Sequence, residues 1–189
     1  MANDANGIEL SMAELREIAG FAARCARRVL PLCDEGPLTG SSAVPGGGGA
    51  PDTRPREAVA AAEVFAGGGR RTAALRQSAW AAYKAAQAAD EAGAPVAADA
   101  ARAASHAAAA AFLHPKASAH QVKHVLGAAA HAACAQELAE PGSGAGIVEW
   151  ARGHAPAAVT AVLRRLPAAP SGGGRAGEFT RELDAALRR

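Results

Sequence analysis

The chain has 189 residues, a mass of 18.8 kDa and a formal net charge of +2. That length suits one domain with a real core, formed without disulfides or metals. The composition holds 56 Ala against 13 Leu, 10 Val, 3 Ile, 4 Phe, 2 Trp and 1 Tyr. Alanine costs no side-chain entropy in a helix, and the β-branched and aromatic residues that strands prefer are scarce. An all-β fold and a parallel α/β sheet are excluded on that ground. Of the 20 basic residues 17 are Arg, but a +2 balance is not the footprint of a dedicated nucleic-acid binder. The opening MANDANGIEL has neither a basic start nor an apolar segment, and no uncharged run is long enough for a membrane span. Cys25, Cys33 and Cys134 form an odd set without metal-ligand spacing. These features predict a cytoplasmic protein with free thiols and no membrane contact.

Residues 1–8 are expected to be a disordered N-terminus, and residues 9–189 a single helical domain. Ser11 and Glu14 have capping-box spacing at the head of a first helix. Leu15, Ile18, Ala22, Cys25 and Val29 form its apolar face, and Pro31 ends it or kinks its last turn. A flexible Gly/Pro/Ser loop is expected at about 34–53. A second helix starts near Asp52 or Thr53, carries Val59, Ala62 and Phe65 inward, and stops at Gly67–Gly69. The third runs from about Thr72 to Ala92, and the fourth from Pro95 to about Leu113. The fifth runs from about Ser118 to Leu138 or Glu140. Residues 147–166 read as helical with a kink at Pro156, and a last short helix as about Glu178 to Arg188. The fold class is all-α: an Ala-rich bundle or stack of helical hairpins with six to eight helices, the third to fifth packed tightly in the middle.

Two stripes carry candidate binding groups. Five of the six histidines fall between residues 106 and 131. On one helix His120, His124, Gly127 and His131 share a narrow face opposite Val122, Leu126, Ala129 and Ala133. A zinc-protease helix would need Glu after the first His, and Gln121 stands there; no Asp or Glu lies between Asp99 and Glu137. The stripe therefore lacks a carboxylate partner. A metal set of His106, His120, His124 and His131, or one drawing on His114, is the alternative to a solvated or partner-facing stripe. Gly127 predicts close helix packing there, with a neighbouring backbone crossing it and His106 approaching the stripe. The second stripe is Arg76, Trp80, Tyr83 and Gln87, with Arg76 placed to stack on Trp80. The aromatics are expected to fill the core where alanine leaves gaps; the alternative is a recognition face.

No P-loop, nucleophile elbow or paired-carboxylate helix occurs, so a hydrolase or NTPase has little to rest on. The glycine runs before Arg70-Arg71 and Arg175 read as linkers. A nucleic-acid accessory would draw on Arg70, Arg71, Arg76, Arg164 and Arg165.

Several segments together resemble one family: ELREIAGFAARCARRVLPL, PDTRPREAV, GGGRRTAALRQSAWAAYKAA, ARAASHAAAAAFLHPKASAHQVKHVLGAAAHAA and PSGGGRAGEFTRELDAAL. This is similar to the bacterial putative immunity proteins with an immunity-protein-5-like domain, over about residues 9 to 187. The most specific stretches are Asp52 to Glu57 and Leu113 to Ala130. The insert before Pro51 departs from the family pattern. The resemblance implies a small cytoplasmic helical protein that binds and neutralises a cognate protein toxin, without cofactor or catalytic residues. An exonuclease-subunit label, as some relatives carry, is not supported: ATP-binding motifs and a long coiled coil are absent. Partner contact would then fall on Arg76, Trp80, Tyr83, His120, His124 and His131.

Overall fold

The computed structural model describes residues 7–34 and 51–189. Among them are eight α-helices and no strand, as the composition predicts. They are α1 (Met12–Arg27), α2 (Arg54–Ala66), α3 (Ala73–Glu91), α4 (Pro95–Ala109), α5 (Val122–Ala139), α6 (Gly144–His154), α7 (Ala157–Arg165) and α8 (Gly174–Arg188). Short 3-10 turns cover Leu30–Asp34, Ala110–Phe112 and Ala119–Gln121.

Local chemistry explains most boundaries. The Ser11 side chain accepts from the Glu14 N–H, and the Glu14 carboxylate accepts from the Ser11 N–H, so two N–H groups at the start of α1 are satisfied reciprocally. Thr72 caps α3 through Leu75 N. Pro55 and Pro95 sit in first turns, where a missing N–H costs nothing. At Pro156 the chain does more than kink: α6 ends at His154 and a separate α7 starts at Ala157. The last helix starts at Gly174, one turn earlier than the residue pattern predicts.

Most of the expected flexible segment, residues 35–50, lies outside the described residues, as do residues 1–6 of the expected disordered start. Its flanks are tied down. Asp34 pairs with Arg56 at 2.7 Å, and Asp52 accepts from the Arg54 backbone and guanidinium. Gly7 and Ile8 are also fixed: Gly7 bridges to Lys116, and Ile8 N donates to Pro115 O at 3.2 Å.

Helix α4 is the hub. It packs most extensively on α3 and α5, and also on α1 and α2. Ala100, Ala103, Ala104, Ala107 and Ala108 are sealed, so neighbouring backbones approach closely. Alanine buries little area, so the larger side chains carry much of the hydrophobic stabilisation. Phe21, Phe65 and Phe179 are fully enclosed, each contributing about 1.5–3 kcal/mol. Cys25 lies in the same core, and burial pushes its thiol up to about 12.

Candidate functional site

The histidines do gather, but not as one stripe. His120 belongs to the 3-10 turn before α5 and is exposed. His124 and His131 project from α5 towards α4, where His106 meets them. The His106 ring stacks on His131 (centroids 5.2 Å apart, planes at 18°) and lies 6.3 Å from His124. Gly127 makes this possible. A Cβ there would sit 2.6–2.9 Å from three atoms of the His106 ring. The close approach read at Gly127 is real, but a side chain fills it, not a crossing backbone.

The expectation that the stripe lacks a carboxylate is overturned. Asp99, one helix away, lies 2.8 Å from His131 Nδ1. A carboxylate only accepts, so the ring donates through Nδ1 and leaves Nε2 as the free nitrogen. Asp99 is itself held by Arg102 at 3.3 Å. His106 keeps an edge at the surface, yet its Nδ1 is enclosed and has no hydrogen-bond partner. Desolvation, then the charges of His131, His124 and Lys123, push His106 down to about 3. His124 is lowered too, mainly by desolvation, then by Lys123, His114 and His120. Among the described residues no three His, Cys, Asp or Glu side chains converge as a metal set.

The second stripe also differs from expectation. Trp80 and Tyr83 do not fill the core: they are 61% and 42% exposed, and their rings meet edge to face at 5.9 Å. The inward face of α3 is Leu75, Ala79, Ala82 and Ala86. Apart from Leu75 that face is alanine, and Trp80 and Tyr83 stand off it. Arg76 does not stack on Trp80. Its guanidinium lies 4.4 Å over Phe112, and that of Arg71 lies 5.9 Å over the same ring. Arg71, Arg76, Phe112 and His114 together line a groove. Arg165, by contrast, is engaged with Glu14 and the Glu9 carbonyl, far in sequence from that groove.

The other tryptophan is half-buried. Trp150 is sandwiched between His154 (4.4 Å) and Arg28 (4.5 Å). The cysteines are unpaired, and burial raises the thiols of Cys33 and Cys134 to about 12, as it does for Cys25. No thiolate nucleophile is therefore available at neutral pH. Among the described residues no helix is long and apolar enough to cross a membrane.

Residue spacing misses Asp99 and Phe112, because each acts on a stripe from another element. The signal present was compositional: Asp99 is the last acidic residue before the histidine-rich stretch. No family model, curated protein or solved structure matches the chain.

Proposed function

We propose that this is a non-catalytic binding protein, one that occupies and neutralises a bacterial protein toxin in the cytoplasm. Trp80 and Tyr83 on α3 form the centre of its contact face. The observation that carries the reading is their joint exposure on one rigid helix. A tryptophan and a tyrosine with an adjacent arginine are the side chains most often found as binding anchors. A continuous helix presents them at low entropic cost. The sequence resemblance to putative immunity proteins supplies the class of partner.

The test takes the products of neighbouring reading frames as candidate toxins, immobilised in catalytically inactive form and exposed to the purified protein. Capture should be lost in Trp80→Ala/Tyr83→Ala, with an unchanged melting curve. Capture of the double variant at wild-type strength would move the contact face elsewhere, and absence of any capture would remove the toxin reading.

A further inference from the structure

A cleft of ≈ 340 Å³ separates α5 from the segment that leads into α8. One wall presents His106, His120, Lys123 and His131. The other runs from Pro170 and Ser171 to Thr180, and within it Gly172 and Gly173, at φ +86° and +78°, take the left-handed values glycine adopts most readily and add no side chain to the space. From these groups we infer that the cleft binds a phosphate-type oxyanion.

The four side chains come from three elements, α4, the 3-10 turn and α5, and each presents a ring or ammonium nitrogen. Among the described residues no carboxylate lines the cleft. Asp99 sits behind His131, where it fixes the ring through Nδ1. Lys123 is exposed and makes no salt bridge among the described residues. The start of α8 at the far wall has no side-chain cap, which adds the favourable end of a helix dipole. An anion beside exposed Lys123 gains a charge-assisted hydrogen bond. The enclosed, partnerless Nδ1 of His106 puts its exchangeable proton on Nε2, the other edge of a ring that borders the cleft.

This site is independent of the toxin reading, and its test needs no partner. Histidine side-chain resonances of labelled protein are followed while inorganic phosphate replaces chloride at constant ionic strength. His106, His120 and His131 should shift saturably, while His154, on α6, should not. Lys123→Gln should weaken binding roughly tenfold, the loss expected for one charge-assisted bond, and Lys123→Glu more. Lys123 is exposed, so both variants should melt as wild type does; Lys84→Gln, on α3, should bind as wild type. A parallel titration with adenosine monophosphate identifies the source. Tighter binding than phosphate assigns a phosphomonoester, and equal binding assigns the free ion. The inference fails if no saturable shift appears, if His154 shifts alike, or if Lys123→Glu binds phosphate as wild type does.

Discussion

The imidazole of His106 occupies the place where a Cβ on Gly127 would lie, 2.6 Å from the nearest ring atom. The ring cannot easily swing away, because His131 is stacked 5.2 Å from it. Gly127→Ala should therefore destabilise the protein by about 1–3 kcal/mol, although alanine is worth about 1 kcal/mol more than glycine in a helix. The loss should shrink in the double variant Gly127→Ala/His106→Ala. Urea midpoints of the four proteins measure this coupling. A Gly127→Ala variant more stable than wild type would mean that the slot is open.

The same packing gives a pH signature. His106 is held down to about 3 in the folded protein, while an unfolded chain protonates it near its ordinary value. The folded pKa is the lower one, so its contribution is complete above the unfolded value. It is lost as pH falls, because the unfolded state then binds more protons. His124 acts in the same direction. Stability should fall from neutral pH towards pH 5 by up to about 1.4 kcal/mol per unit per histidine. Denaturation series at stepped pH should show a shallower slope for His106→Gln. An equal slope would assign the acid sensitivity to other groups.

Much of this arrangement was legible locally, and the rest was not. The Ser11–Glu14 box and the Thr72 cap are i, i+3 relationships, so reading along the chain finds them. Gly127 announced a close contact because glycine is costly mid-helix. The Asp99–His131 pair joins residues 32 apart on different helices, and no spacing rule reaches that far. Trp80 misleads for a different reason. Ranking side chains by hydrophobicity places tryptophan inside, but here the inward face of α3 is Leu75 with alanines, and Trp80 lies off that face.

That exposure is directly measurable. Trp80 should emit as a solvated indole and be quenched readily by acrylamide, whereas Trp150 is shielded by Arg28 and His154. Trp80→Phe should remove the quenchable component and change stability by no more than about 0.5 kcal/mol. A large loss of stability would show that the indole packs against the molecule.

Asp184 anchors the C-terminal helix. Its side chain is 4% exposed, accepts from Ala169 N at 2.9 Å and pairs with Arg188 Nε at 2.7 Å. Arg188 in turn holds the carbonyls of Leu166 and Pro167. Asp184→Ala leaves the Ala169 N–H without its partner and takes one of three contacts from Arg188, a change worth about 1–3 kcal/mol. Amide exchange should quicken first in α8 and in residues 166–172. Uniform protection in the variant would show that α8 docks without this anchor.

Cys25 gives the molecule an internal clock. Its sulfur is wholly enclosed and its thiol scarcely ionises at neutral pH, so a thiol reagent finds no reactive target while α1 stays docked. Each modification of Cys25 therefore records an excursion in which α1 has left the core. With reagent in excess, the labelling rate reads the frequency of that opening under conditions where the folded form overwhelmingly predominates.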